Sequence, residues 1–397
     1  MNPGVAGNGG NLDGHLVVDF SHVAAGPVCS MMLGDRGADV IKIESPGGDL
    51  GRTLGPPFVS GHGVIFLSLN RNKRSAVLDL KKPDDLAVAR RLLERADIVV
   101  ESFRPGVMAK FGLDHEAASR ANPGLIYCSI SAYGQTGPFS GKPGVDGIVQ
   151  AASGLMSITG GADGVPSKVQ SPVIDMVTGF LATTAILDAL MARQRSGKGM
   201  HLDISMFAAG VQLQQLGLNS YLASGDVPLP CGSAAPYSAP NEAFPTADGW
   251  LMIAAYQPKR WATLCRIVGI PEMTDDPLLA TSDLRVANRA EMVALVSART
   301  RLQTTSELMA ALEAGDVICG PVNNYADVSA SPAFAGMTSF VTHPEAGELR
   351  VIAPLDTGCT GAYRTAAMQP APRLGEHTRE VIELALEARS SHANLSR

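Results

Sequence analysis

The chain has 397 residues, 45% of them hydrophobic and 18% charged, and a formal net charge of -6. That length exceeds one ordinary core and predicts two or three domains, and the composition is that of a soluble globular protein with the cytoplasm as its default compartment. No uncharged apolar run reads as a membrane span and no basic block reads as a nucleic-acid surface, so neither a membrane nor a nucleic acid is expected as a partner.

Met1 to Gly14, rich in Gly and Asn, lacks the basic-then-apolar order of a secretion signal and reads as a flexible leader. From His15 the chain alternates strand and helix. Leu16-Val-Val-Asp-Phe20 and Val40-Ile-Lys-Ile-Glu44 flank a helix opening at Ala25-Gly-Pro27, which makes a βαβ unit. Ser75 to Asp79 is strand-like, Pro83 to Arg95 has helical spacing, and Ala96 to Glu101 and Leu125 to Ile130 are further strands. Such alternation predicts an α/β fold with a Rossmann-like, doubly wound parallel sheet and ligands at the carboxyl ends of its strands. Neither the dinucleotide glycine fingerprint nor a P-loop is present, so no nucleotide cofactor is expected.

Residues 141–173 are rich in Gly, Ser and Pro, as an active-site loop region would be. A helix starting at Asp175 follows, with Val177, Phe180, Leu181, Thr184, Leu187, Leu190 and Met191 at helical spacing, then a turn at Arg195 to Gly199 and a strand at His201 to Met206. Ser224 to Pro240 holds four prolines and reads as a linker that ends a large domain spanning 15–223. Beyond it, 241–330 predicts a smaller α+β domain, with a hairpin from Asn241 to Ala254 and helices around Trp261 to Val268 and Ser306 to Glu313. Residues 331–346 read as a second linker, and 347–397, with a strand at Leu349 to Ile352 and a helix from Thr378 to Ala388, as a segment returning to the large domain.

Asp175, in Ser171-Pro-Val-Ile-Asp175-Met-Val-Thr-Gly179, is open to two compatible readings. As a helix N-cap, its carboxylate would accept an amide of the first turn. As a nucleophile, ionised at neutral pH given the ordinary aspartate pKa of about 3.9, it would attack a thioester carbonyl without a general base. Asn70-Arg-Asn-Lys-Arg-Ser75 and Phe103-Arg104-Pro105-Gly106 with Lys110 are cationic turns beside strands; each is either solvated surface charge or a site for nucleotide phosphates, with Phe103 packing on an apolar surface. Six dispersed cysteines and eight dispersed histidines form no metal spacing, so no metal is expected, and the serines lack a nucleophile elbow.

Taken in order, several blocks resemble the class III CoA-transferase family, the CaiB/BaiF type, over nearly the whole chain. They are Asp19 to Pro27, Gly37 to Glu44, Asn72 to Ser75, Ala96 to Gly106, Tyr133 to Pro138, Ile174 to Gly179 and Arg195 to Gly199, then Tyr237 to Trp250, Gly320 to Asn323 and Leu374 to His377. The resemblance implies a homodimer of two interlocked ring-shaped chains, with coenzyme A as part of the acyl-CoA substrate and a small carboxylic acid as the other. It implies that Asp175 is the nucleophile, forming an aspartyl anhydride and then an aspartyl-CoA thioester. It also implies that Ala24, Ala25, Asn72, Lys73, Arg74, Ser102, Phe103, Arg104 and Lys110 line the CoA site.

Ala24 and Ser45 stand where formyl-CoA transferases have glutamine and arginine, which points away from formate or oxalate; Ser102 replaces a frequent asparagine. The 2-methylacyl-CoA racemases share the fold and pair the aspartate with a histidine, and the position matching that histidine holds Val145. Transfer is therefore favoured, with Val145 and Asp146 shaping the acyl pocket, Asp146 being otherwise a turn residue. The acids expected are small and could be dicarboxylates, such as succinate with malate-, citramalate- or itaconate-like acceptors. A racemase-type isomerase and a non-catalytic CoA-binding paralogue are the alternatives.

Overall fold

The computed structural model describes residues 10–161, 164–354 and 368–387. Most of the leader, Cys359, His392 and the end of the last segment thus lie outside the described residues. The first unit comprises Met1–Leu155, Val169–Asp226 and Gly336–Arg397. Its strands are β1 (Leu16–Asp19), β2 (Asp39–Glu44), β3 (Lys73–Val77), β4 (Ile98–Glu101), β5 (Ile126–Ser131) and β6 (Met200–Ser205). They form one six-stranded sheet in the order β3-β2-β1-β4-β5-β6, parallel throughout. Strands β1 to β4 are buried at every position except Arg74 and Val77, as expected of apolar runs covered on both faces.

The helices of this unit are α1 (Ala25–Gly34), α2 (Pro83–Arg95), α3 (Asp146–Ala152), α4 (Val173–Ser196), α5 (Met206–Leu213) and α6 (Gln215–Ser224), with others too short to matter here. On one face Leu16, Val18, Ile41 and Ile43 pack with Ala89, Leu92 and Leu93 of α2 and with Val381 and Ala385 of a C-terminal helix. On the other, α1 crosses α4 closely enough that a Cβ at Gly179 would lie 2.7 Å from Val28 Cβ and 2.9 Å from Ala25 O. Glycine is required there by the approach itself.

By length and composition, the 24-residue α4 is long and apolar enough to cross a bilayer, although Asp175 and Asp188 interrupt its apolar run. Here it buries Ile174, Thr178, Ala182, Thr183, Ile186 and Ala189 as a core helix of the sheet layer. The strand order reverses at β1 and β4. The crevice beyond their carboxyl ends is the switch point where ligands of doubly wound sheets dock.

Met156–Lys168 and Val227–Ala335 form a second unit. Residues 156–168 thus group with it and not with the large domain, contrary to the boundaries expected above. Its antiparallel sheet has the order β9-β8-β7, from β7 (Asn241–Pro245), β8 (Trp250–Ala254) and β9 (Ile318–Pro321), packed on α7 (Pro258–Val268), α8 (Arg289–Thr300) and α9 (Thr305–Ala314). The expected hairpin is β7–β8. In the first unit, β10 (Thr338–His343) pairs antiparallel with β11 (Gly347–Ile352), and α10 (Thr378–Leu386) closes the chain. The expected linker 331–346 therefore carries a strand, because β11 finds its partner in a local hairpin.

At the carboxyl end of β1, reached by side chains from β2 and from the first residue of β3, lies a buried ionic cluster. Asp19 and Lys73, both wholly buried at their side chains, meet at 3.2 Å, and Lys73 Nζ also donates to Asn70 Oδ1 at 2.9 Å and to Pro27 O at 3.1 Å. Lys42, opposite Asp19 in register, pairs with Asp49 at 2.7 Å. Burial opposes the charge on Asp19, but Lys73, Lys42 and two serine hydroxyls bring its carboxyl down to about 2. Burial lowers the Lys73 ammonium to about 8 against the pull of Asp19. Lys73→Met would leave Asp19 charged and short of a partner, so it should destabilise the protein by about 3–5 kcal/mol, read as a lower urea midpoint. An unchanged midpoint would overturn this account.

Candidate active site

The loop after β1 is held in an unfavourable conformation. Val23 has φ +66, the left-handed region that a β-branched residue rarely enters. Its N–H donates to Asp49 Oδ1 at 3.0 Å, Ser21 N–H donates to Asp19 Oδ1 at 2.8 Å, and Lys42 Nζ donates to Ser21 O at 2.8 Å. The ionic cluster thus fixes three points of the turn that presents His22, Val23, Ala24 and Ala25. The turn after β4 meets it, since Ser102 Oγ accepts His22 N–H at 3.1 Å and the His22 and Phe103 rings lie 5.7 Å apart. Glu101 fastens that turn by accepting Phe103 N–H at 2.9 Å, and burial raises the Glu101 carboxyl to about 7.

These two turns, the end of β5 and the segment Lys142–Val145 enclose a cavity of about 690 Å³, whose walls also include Asp175 from α4. Its volume is that of a ligand pocket. Of the expected residues, Ala24, Ala25, Ser102, Phe103, Arg104, Val145 and Asp175 line it together. Asp175 is the only carboxylate among its described walls.

The helix bearing Asp175 starts at Val173, two residues before the expected start. Asp175 is therefore a first-turn residue and not the cap. That job falls to Asp146 of α3, whose Oδ2 accepts Ile174 N–H at 2.8 Å and Asp175 N–H at 3.2 Å while its Oδ1 accepts Gln150 Nε2 at 2.5 Å. The Asp146 oxygens are occupied by α4 and Gln150, and Asp146 is not among the residues lining the cavity, whereas Val145 is. Burial first, and then the nearby Asp146 carboxylate, raise Asp175 to about 7, so it is about half ionised at neutral pH instead of fully so.

The cations fall differently from expectation. Lys73 is sealed in the ionic cluster, and Arg74 donates from Nε to Asp39 Oδ1 at 2.9 Å on the outer strand β3. Asn72, at φ +59, donates to Asp35 Oδ1 at 2.8 Å and accepts Gln369 N–H at 2.7 Å. None of the three lines the cavity: Lys73 and Arg74 are the first two residues of β3, and Asn72 immediately precedes it. Lys110 is exposed at the end of a short helix outside the cavity wall.

Three polar wall residues were not singled out from sequence. His22 sits inside the Asp19 to Pro27 block, and burial lowers its pKa, so it is a neutral imidazole at pH 7. Lys142 lies in the Gly/Pro-rich stretch already read as an active-site loop region, and Ser131 carries no sequence signal at all.

Asp175 is ionised in the unfolded chain above about pH 4 but in the folded chain only above about 7, so its raised pKa removes stability as pH rises between those values. Asp175→Asn should therefore melt at the same temperature as wild type below about pH 4 and increasingly above it up to about pH 7. Thermal melts across that range check this; a constant difference would show that Asp175 titrates normally.

The sequence profile of CoA-transferase family III matches residues 12–378. A succinate–glutarate CoA-transferase of Agrobacterium fabrum is 40% identical over 380 residues, covering 94% of each chain. A succinyl-CoA:mesaconate CoA-transferase of Haloarcula hispanica is 38% identical over 385 residues, covering 94% of this chain and 96% of that one. The crystal structure of a CaiB/BaiF family protein from Brucella suis superposes with a TM-score of 0.85 at 36% identity, covering 95% of this chain and all of that one. With a parallel sheet of the same fold and one carboxylate in the cavity at its switch point, this chain belongs to CoA-transferase family III.

Proposed function

We propose that the protein transfers CoA from a dicarboxylic acyl-CoA to a second dicarboxylic acid, with Asp175 as covalent nucleophile. The observation that carries this reading is the placement of a lone carboxylate, raised to about 7, in the wall of the cavity at the sheet's switch point. A half-buried carboxylate with a raised pKa keeps a share of the ionised form at neutral pH and is a stronger base than an exposed one. The dicarboxylate class comes from the relatives, which act on succinate, glutarate and mesaconate.

The steps balance without added protons. An Asp175 carboxylate oxygen adds to the thioester carbonyl; the tetrahedral oxyanion collapses, the C–S bond breaks, and CoA leaves as thiolate from a mixed anhydride. The thiolate attacks the Asp175 carbonyl carbon and releases the donor acid, leaving an aspartyl-CoA thioester. An acceptor carboxylate displaces the thiolate to form a new anhydride, and thiolate attack on the acyl carbonyl then yields the new acyl-CoA and frees Asp175. Ala24 and Ala25 give the thioester arm space, Ser102 and Phe103 pack beside it, and Arg104 with Lys110 meets CoA phosphates. His22, a neutral imidazole in the same cavity wall, is the donor assigned to the oxyanion.

Incubation with acyl-CoA and hydroxylamine should convert Asp175 to a hydroxamate found by peptide mass spectrometry, and Asp175→Ala should abolish both the adduct and transfer. Wild-type kcat/KM should rise with pH through about 7 as Asp175 loses its proton. Asp146→Asn should shift that rise to lower pH, since it removes the like charge while its amide oxygen still accepts the α4 N–H groups. A pH profile unmoved by Asp146→Asn would count against the coupling. His22 in the cavity is the one feature that favours α-proton exchange; deuterium entering the α-position with no acceptor acid present would replace transfer by that reading.

A homodimer fits the apolar side chains left exposed on α4, α5 and α6, among them Met191, Leu216 and Leu222. No residue of α6 is buried within the chain. Light scattering on the purified protein should give the mass of two chains, and the mass of one would remove the dimer.

A further inference from the structure

The cavity contains a polar group that the transfer steps leave unused. Ser131, the last residue of β5, is 7% exposed, and its hydroxyl has no hydrogen-bond partner among the described residues. Burying a hydroxyl unpaired costs about 1–3 kcal/mol, so a buried orphan in the wall of a ligand cavity calls for a ligand atom. The neighbouring walls Ile130, Ala132, Val145, Ile148 and Met206 are apolar.

A cation, the exposed Lys142, belongs to the wall of the same cavity. A Cβ on Gly144 would come within 2.7 Å of Ala132 Cβ, so the Lys142–Val145 segment rests directly on the residue that follows Ser131. Lys142 Nζ lies 4.2 Å from the centroid of the Phe139 ring, and Phe139 packs on Tyr133 with centroids 5.9 Å apart. Lys142 makes no ion pair among the described residues, so its ammonium is held by an aromatic face without being neutralised.

We propose that this part of the cavity holds the free carboxylate of a dicarboxylic acyl group, ion-paired to Lys142 and hydrogen-bonded by the Ser131 hydroxyl. The inference rests on the CoA-transfer reading above and names the residues that read its substrate class. One carboxyl of the acid reacts at Asp175. The other would be an uncompensated anion among apolar walls unless met by a cation and a donor. Arg104, the other cation of the cavity, comes from the turn after β4, beside Ser102 and Phe103 on the CoA-facing segment, which leaves Lys142 for the acyl end.

The test compares acids of equal carbon number, glutarate and valerate, as acceptors with one acyl-CoA donor. Lys142→Met, which keeps the aliphatic stem, should lower the glutarate-over-valerate ratio of kcat/KM about tenfold to hundredfold, Lys142→Arg should restore most of it, and Ser131→Ala should lower it about fivefold. Equal losses for both acids, or an unchanged ratio, would overturn the subsite. A second readout is independent of turnover: in an Asp175→Asn background, glutaryl-CoA should bind more tightly than valeryl-CoA, and Lys142→Met should erase that difference. If the unaltered protein moves CoA to no acid, the transfer reading fails by itself, while the binding comparison still decides the subsite; equal affinity for the two thioesters in the Asp175→Asn protein overturns it.

Discussion

The buried ion pair between Asp19 and Lys73, extended through Lys42 to Asp49, fixes the geometry on which the site depends. Charges removed from water persist only when paired and hydrogen-bonded, and here they are spread across adjacent strands of the sheet. The same carboxylates accept the N–H groups of Ser21 and Val23. They thereby offset the cost of a β-branched residue at φ +66 and hold the His22–Ala25 turn open toward the cavity. Core electrostatics and active-site shape are one arrangement in this protein.

A second coupling lies between Asp146 and Asp175. Asp146 supplies the acceptor that the first turn of α4 needs, and in doing so places a negative charge near the Asp175 carboxyl. The helix cap and the carboxylate of the cavity wall are thus separate residues, Asp146 and Asp175. The two turns set the Asp175 carboxylate in a cavity whose walls are mostly apolar.

Much of this was legible in the chain itself. The mostly apolar runs at Leu16–Asp19, Asp39–Glu44 and Ile98–Glu101 are buried at every position because their strands are covered on both faces, and the helix over Pro83–Arg95 is announced by its proline start and its spacing. Asp175, the turns after β1 and β4 and the small-residue opening of α1 also stand out, since each lies at a junction where local sequence dictates backbone path. Order and spacing of short blocks identified the family.

What local sequence could not assign was the partner of each charged side chain. Lys73 and Arg104 look alike in cationic turns, yet one is sealed against Asp19 and the other is exposed in the cavity wall. Asp146 and Asp175 are both first-turn aspartates, and only the packing of α3 against α4 makes one the cap and the other the candidate nucleophile. Ser131 became notable only when folding buried its hydroxyl without a partner. The sequence by itself determined the elements, their order and the junctions that carry chemistry, because these follow from periodicity and backbone preference over a few residues. Tertiary structure alone decided which charges are buried, paired or free, because burial and pairing join residues that are dozens of positions apart in the chain.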